Sequence, residues 1–175
     1  MRSSALLAIL SILLAGCAAH PSTGKLVPKE LAGSDPEAQL NFWSSLPDEH
    51  VASNDQAFRA LLLYVDGKDD APDYAARVAT MKSRKLLPDD FNEPGDTAAH
   101  KGTLAVAIMK MLQDKGGVTI RLFGNSPRYS TRELMFLNIY PPSTPNQVIS
   151  GNQLVGIIGQ VEDFQRGSAL TAPAR

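Results

Sequence analysis

Apolar residues recur at helical spacing in three stretches of the chain, each of which begins with a small hydroxyl residue. The spacing is i, i+3, i+4, i+7, which places the apolar side chains on one face of an α-helix. The three stretches are Ser53–Val65, Thr97–Leu112 and Ser150–Phe164. Ser and Thr are favoured at helix N-caps because the hydroxyl accepts a hydrogen bond from a free backbone N–H. The pattern therefore predicts three capped amphipathic helices.

The apolar face of each predicted helix is expected to point towards a core. Its members are Phe58, Leu61, Leu62 and Val65 in the first helix, Leu104, Ala107, Ile108 and Met111 in the second, and Leu154, Ile157, Ile158 and Val161 in the third. The first and third stretches also carry Gln three residues after the hydroxyl, the spacing of a capping box. The middle stretch has His100 at that distance from Thr97, which is a weaker box.

Another apolar-periodic segment precedes each capped helix and ends next to a proline. These segments run from Ser34 to Leu46, from Tyr74 to Leu87 and from Tyr129 to Tyr140. The first can begin with Ser34 as N-cap, or with Asp35 as N-cap and Pro36 at the first helical position. Proline disfavours the helical conformation in the residue before it, so each segment is expected to stop there. We therefore predict a mostly α fold of three helix pairs, with one short strand or extended linker near residues 118–123.

The N-terminus carries the most specific motif of the chain. Arg2 precedes a ten-residue apolar run, Ala5–Leu14, which is too short to span a bilayer and is typical of a secretory signal. The run ends in Leu14-Ala15-Gly16-Cys17, which resembles the lipobox of bacterial lipoproteins at all four positions. The resemblance implies cleavage before Cys17, a diacylglycerol on its thiol and an acyl group on the new amino terminus. An ordinary signal peptide with a chance Cys is the alternative.

This motif divides the chain into parts with different expected roles. We predict a signal peptide at residues 1–16, a lipidated Cys and tether at 17–33, a folded domain at 34–166 and a flexible tail at 167–175. Cys17 is the only Cys among the 175 residues, so an intramolecular disulfide is excluded. The balance of 17 Lys and Arg against 18 Asp and Glu gives no reason to expect nucleic-acid binding.

The capped stretches also resemble the S-layer homology domain. That family opens an apolar helix with hydroxyl-Arg-Ala-Glu-aromatic after a Leu-Pro-like turn, and the corresponding segments here are SNDQA, TAAHK and SGNQL. The resemblance covers about 130 residues of the chain. It implies a pseudo-threefold helical bundle and a noncatalytic module that binds cell-wall polysaccharide. Asn54, Ala98 and Gly151 stand where the family places its ligand-reading Arg.

Few residues suggest chemistry beyond lipidation. His20, His50 and His100 belong to no metal-binding motif, and neither metal nor cofactor is expected. Arg77 and Arg132 occupy matching positions in the second and third units. They are candidate ligand-binding residues for an anion in a groove between units, although charges on a solvated helix surface are the simpler interpretation.

These observations favour a noncatalytic lipoprotein of the cell membrane or outer membrane that faces away from the cytoplasm. It is expected to hold a cell-wall polysaccharide, peptidoglycan or an envelope protein near the membrane. One alternative is an envelope hydrolase whose carboxylates, among Asp89, Asp90 and Asp96, converge only in the fold. Another is a structural lipoprotein with protein partners only.

Overall fold

Six α-helices account for most of the described chain, which confirms the prediction of a mostly α fold. The computed structural model describes residues 22–112 and 124–171. The helices are α1 Pro36–Ser45, α2 Asn54–Asp66, α3 Tyr74–Ser83, α4 Lys101–Met111, α5 Pro127–Phe136 and α6 Gly151–Thr171. Short 3₁₀ turns lie at Lys29–Leu31 and Leu46–Asp48. The signal peptide, Cys17, the segment at 118–123 and residues 172–175 lie outside the described residues.

Helix starts follow the capping residues in five of the six helices. Asp35 caps α1 by accepting a hydrogen bond from the Ala38 N–H, so Pro36 is the first helical residue. Ser53 and Gln56 form the predicted capping box at α2. Ser150 and Gln153 form the one at α6, with distances of 3.2 and 3.4 Å. Asp73 caps α3, and Ser126 caps α5, which begins at Pro127, two residues before the predicted start at Tyr129.

The exception is α4, which begins at Lys101 and not after Thr97. His100 occupies its N-cap position and makes no side-chain capping bond to the helix. Residues 97–99 are extended because their backbone pairs with neighbouring segments: Thr97 with Ser22 and Ala98 with Ser53. The predicted box of Thr97 with His100 is therefore wrong, since tertiary hydrogen bonds take the place of the first helical turn.

Two helices end earlier than the prolines suggested. The segments expected to run to Leu87 and Tyr140 end as helices at Ser83 and Phe136. Two residues after each end, Lys85 and Asn138 adopt a left-handed conformation, with φ of 59° and 60°. A residue in this conformation closes a helix by turning the chain back towards its last carbonyl groups.

The predicted apolar faces form one core, with a single misplaced residue. The buried members include Phe58, Leu61, Leu104 and Ile108, together with all four residues named for α6. Val65 is instead 42% exposed, because α2 is buried on all sides only from Asn54 to Leu63 and its last turn reaches solvent. The second helix of each pair packs on a neighbouring pair. Helix α2 packs on α3 of the second pair, α4 on α5 of the third pair, and α6 on the turn Leu46–Asp48 that follows α1.

The segment assigned to a tether is partly packed on this domain. Thr23 donates its backbone N–H and its hydroxyl to Asp96 O at 2.7 and 2.8 Å. Further along, the carbonyls of Ala32 and Gly33 accept hydrogen bonds from Arg59. Residues 22–33 therefore belong to the folded domain, whose described part begins twelve residues before the predicted boundary at 34. At the other end, residues 167–171 of the predicted tail continue α6.

Candidate functional site

Three extended segments meet where the second helix of each pair begins. The Ala52 N–H donates to Ile149 O at 2.9 Å, Ile149 N–H donates to Ala99 O at 3.1 Å, and Ala99 N–H donates to Ala52 O at 2.9 Å. These three bonds close a ring. Ala52, Ala99 and Ile149 each lie one residue before the N-cap position of a helix, which is α2, α4 and α6 respectively. We call this arrangement the three-way junction.

A second set of bonds surrounds the three-way junction and runs in the opposite sense. The first residue of each second helix donates its N–H to the next unit: Asn54 to Thr97 O, Lys101 to Gln147 O and Gly151 to Glu49 O, at 2.8 to 2.9 Å. These N–H groups have no partner inside their own helices, so the neighbouring unit satisfies them. The pseudo-threefold arrangement remains a prediction, and these two rings support it.

Glycine permits the closest of these approaches. A Cβ on Gly151 would lie 1.7 Å from the Leu46 carbonyl oxygen, and one on Gly102 would lie 2.9 Å from the Cβ atoms of both Pro127 and Pro145. The prolines consequently sit directly against the start of α4. They form part of the wall of a groove that opens there.

This groove, the polar groove, has a volume of about 380 Å³ and is lined by Glu93, His100, Gly102, Thr103, Pro127, Pro145 and Asn146. His100 Nδ1 lies 3.1 Å from Asn146 O, so this nitrogen carries the proton and donates it to the carbonyl. Glu93 Oε2 accepts a hydrogen bond from Asn54 Nδ2 at 3.2 Å. The side chains of Thr103 and Asn146 add further hydrogen-bonding groups to a lining whose larger part is apolar and includes the rings of Pro127 and Pro145. Such a surface suits a hydroxyl-rich ligand.

Arg77 does not face a groove. Its side chain is 2% exposed, and it forms ion pairs with Asp55, and with Asp69 at 2.5 Å from its Nε. Arg59 binds the same Asp69 oxygen at 3.0 Å, with its own side chain fully buried. Two Arg and two Asp thus form a neutral cluster, the buried ion cluster. Neither interpretation made from the sequence, a ligand-binding residue or a solvated surface charge, describes Arg77.

The remaining contacts of the buried ion cluster fix the N-terminal segment. Val27 donates its N–H to Asp55 Oδ2 at 2.9 Å, and Gly33 O accepts from Arg59 at 2.8 Å. The Arg59 guanidinium also lies 5.0 Å from the centroid of the Phe42 ring, within the range of a cation–π contact. Burial lowers the pKa of Arg59, and the hydrogen bond and charge of Asp69 oppose that shift. The cluster is structural, since its members bind one another and the backbone.

Arg132, the other predicted ligand residue, is exposed on α5. The structure therefore does not bring the two arginines into the same environment. The two positions match in sequence but differ by two residues when they are counted from the helix caps. Arg77 is the fourth residue after Asp73, whereas Arg132 is the sixth residue after Ser126.

A buried lysine lies beside a serine near the polar groove. Lys101 is 1% exposed, and its Nζ donates to Ser143 Oγ at 3.1 Å. Burial lowers the pKa of Lys101. The Ser143 hydroxyl donates to Pro141 O at 2.8 Å. A serine next to a lysine of lowered pKa is a combination that nucleophilic catalysis uses, but here the ammonium donates to the hydroxyl and the hydroxyl to a carbonyl.

The carboxylates considered for hydrolysis lie in different surroundings. Asp89 has a side chain that is 78% exposed and pairs with Lys85, and Asp90 is also exposed. Asp96 accepts a hydrogen bond from Ser22 Oγ at 3.0 Å. Among the described residues, no group of three or more His, Cys, Asp or Glu side chains could hold a metal ion. Within the same residues, no helix is both long and apolar enough to cross a bilayer.

Comparison with protein-family models, curated proteins and solved structures finds no match to this chain.

Sequence reasoning missed the polar groove and the buried ion cluster. The groove is formed by two loops and two helix starts at four separate places in the chain, and no local period marks it. The cluster had one signal in the sequence: Arg59 lies within the apolar run Ala57–Leu63 of a predicted helix, an unusual place for a charge unless it is paired.

Proposed function

We propose that this protein is a noncatalytic lipoprotein of the bacterial envelope that holds a cell-wall polymer close to the membrane. Two features support the proposal: the Leu-Ala-Gly-Cys17 sequence for anchoring, and the polar groove for binding. The observation that carries the binding half is the convergence of Glu93, Thr103 and Asn146 with two prolines at one end of α4. Sugars present hydroxyl groups and apolar ring faces, which match such a mixed surface.

The threefold arrangement of the S-layer homology family is part of this proposal. It is supported by the two rings of hydrogen bonds at the three-way junction. The family's Arg is absent from the matching positions, so binding here rests on the polar groove and not on those positions.

The anchoring half is tested by replacing the lipidated residue. We expect Cys17→Ser to release the protein from the membrane fraction or to leave it as an uncleaved precursor. The matched control is Ser44→Ala, at an exposed position on α1. A Cys17→Ser protein that fractionates and migrates like wild type would show that no anchor forms at this residue.

The binding half is tested by sedimenting the full chain with purified peptidoglycan sacculi and their attached polysaccharide. The supernatant is then analysed for released fragments. We expect retention of the protein without fragments. If the protein neither sediments nor releases fragments, the polymer is not its ligand, and crosslinking in intact envelopes would then identify protein partners.

An envelope hydrolase is the second candidate, and the contact between Lys101 and Ser143 is the observation that favours it. A serine hydrolase would release fragments from the sacculi, and Ser143→Ala would abolish the release. We expect no fragments from wild type, because the Ser143 hydroxyl proton is directed at Pro141 O and away from the lysine.

A further inference from the structure

A groove of different character lies at the three-way junction, on the side where the described chain begins. Its floor is formed by Val51, Ala98 and Val148, and its volume is about 330 Å³. Each of these three residues lies two positions before the N-cap position of its helix, so the junction itself brings them together. Six of its nine lining residues are polar or ionisable, among them Lys25, Glu49 and His50, and Lys25 pairs with Glu49. Most of the exposed lining area is nevertheless apolar, and we call this the apolar groove.

The apolar groove is large enough for part of a hydrocarbon chain. An engineered apolar cavity of about 150 Å³ accommodates benzene, and the apolar groove has about twice that volume. It is open along one side, so a long chain could enter from solvent without any movement of the fold. Ala98 is 1% exposed, whereas Val51 and Val148 are half-buried and offer their methyl groups to an occupant.

The position of the chain end indicates which hydrocarbon is near. Ser22 and Thr23 form one wall of the apolar groove and are held in place by Asp96. Cys17 is five residues before Ser22. Because an extended chain spans at most about 3.6 Å per residue, Cys17 lies within about 18 Å of that wall.

We propose that the apolar groove receives one acyl chain of the lipidated Cys17 of the same molecule. The proposal rests on the lipidation of Cys17 put forward above. A lipobox implies three acyl chains on the mature N-terminus, whereas stable anchoring in a bilayer takes two. One chain can therefore leave the bilayer for the apolar groove while the protein stays anchored. In that state the apolar groove faces the lipid headgroups, and the polar groove remains available to a ligand.

The test uses the full lipidated protein in its own membrane. Cells are grown with a palmitic acid analogue that carries a diazirine near its methyl end, so that the label enters Cys17. After illumination the protein is digested, and crosslinked peptides are mapped by mass spectrometry. We expect crosslinks from the acyl chain to the peptides that contain Val51, Ala98 or Val148.

A groove-filling variant and a matched control make the result specific. Val51→Trp should lower the yield of these crosslinks about tenfold, equivalent to about 1.4 kcal/mol. Val65→Trp places the same side chain at an exposed position on α2 and should leave the yield unchanged. Val148→Trp serves as a second filling variant, and circular dichroism verifies that each variant is folded.

Two outcomes would overturn the proposal. Crosslinks to phospholipid alone would mean that every acyl chain stays in the bilayer. An N-terminal peptide without any acyl group would remove the occupant, and it would also contradict the anchoring half of the proposed function. If the acyl chain crosslinks to the apolar groove but the protein does not sediment with sacculi, only the polymer-binding half of the proposed function is contradicted. Failure of the acyl-chain proposal can therefore be told apart from failure of polymer binding.

Discussion

At the scale of single residues, the buried charges are the groups whose replacement should have the largest effect. Arg77 is buried together with the carboxylates of Asp55 and Asp69, and it forms an ion pair with each of them. Removing one member of a buried pair leaves an uncompensated charge, and this costs about 3–5 kcal/mol. By comparison, the pair of Arg84 with Asp66 has side chains 39% and 23% exposed.

We therefore predict that Arg77→Met lowers the free energy of unfolding by about 3–5 kcal/mol, measured by urea denaturation. Arg84→Met is the matched control, since a solvated ion pair contributes about 1 kcal/mol or less. Equal losses in the two variants would show that the buried ion cluster does not stabilise the domain as described. Arg77→Ala is accordingly unsuitable as a probe of ligand binding.

Lys101 provides a prediction about pH. Its folded-state pKa is lowered by burial, so at a pH between the folded and unfolded pKa values the unfolded chain binds the extra proton. Stability therefore rises as pH increases through the folded pKa. We expect the free energy of unfolding of wild type to rise relative to that of Lys101→Met between neutral and alkaline pH. Burial raises the pKa of Tyr140, which makes an opposite contribution to the pH dependence of stability. This contribution is present in both proteins and cancels when their free energies of unfolding are subtracted. Parallel pH profiles would contradict the assignment.

At the scale of secondary structure, the sequence predicted the helices better than their ends. The α6 stripe at Leu154, Ile157, Ile158 and Val161 was correct because one strong period, a capping box and burial all agree there. The start of α4 was wrong because Thr97 is a good cap locally, but its backbone pairs with residues far away in sequence. The polar groove could not be predicted for the same reason, since it depends on how distant loops meet.

Substitution of two glycines in α6 distinguishes the effect of a tertiary contact from the effect of helix propensity. Gly151→Ala would place a Cβ against the Leu46 carbonyl, whereas a Cβ at Gly156 meets nothing within 4 Å. We expect Gly151→Ala to destabilise the protein by about 1–3 kcal/mol through overpacking. Gly156→Ala should stabilise it by about 0.5–1 kcal/mol, because Ala favours a helix interior. Thermal unfolding followed by circular dichroism measures both, and a stabilising Gly151→Ala would contradict the contact between α6 and the first unit.

At the scale of the whole molecule, the N-terminal segment joins the proposed anchor to the core. Residues 22–33 bind Asp96, Asp55 and Arg59, and only four residues of sequence, 18–21, stand between Cys17 and this segment. From the sequence, this segment looked like a tether because it has prolines and no period. Its contacts with the buried ion cluster are made by backbone groups, which carry no sequence signal.

A chain that starts at Ser34 should therefore be less stable than one that starts at Ser22. The shorter chain leaves Arg59 and Asp55 without the backbone partners that Gly33 and Val27 provide. Because a hydrogen bond to a charged group contributes about 1.5–3 kcal/mol, we expect a loss of at least about 3 kcal/mol in urea denaturation. Identical urea-unfolding transitions for the two chains would show that residues 22–33 do not stabilise the domain and act as a tether.

Binding of cell-wall polymer through the polar groove can be measured by sedimentation with sacculi. The fraction of full-length protein that sediments with sacculi is compared between wild type, the double variant Thr103→Val with Asn146→Ala, and the control Asn41→Ala with Ser44→Ala on α1. We predict that the groove variant loses about tenfold in affinity, as expected when hydrogen bonds worth about 1.4 kcal/mol are removed, and that the control sediments like wild type. Equal sedimentation of all three proteins would contradict the account.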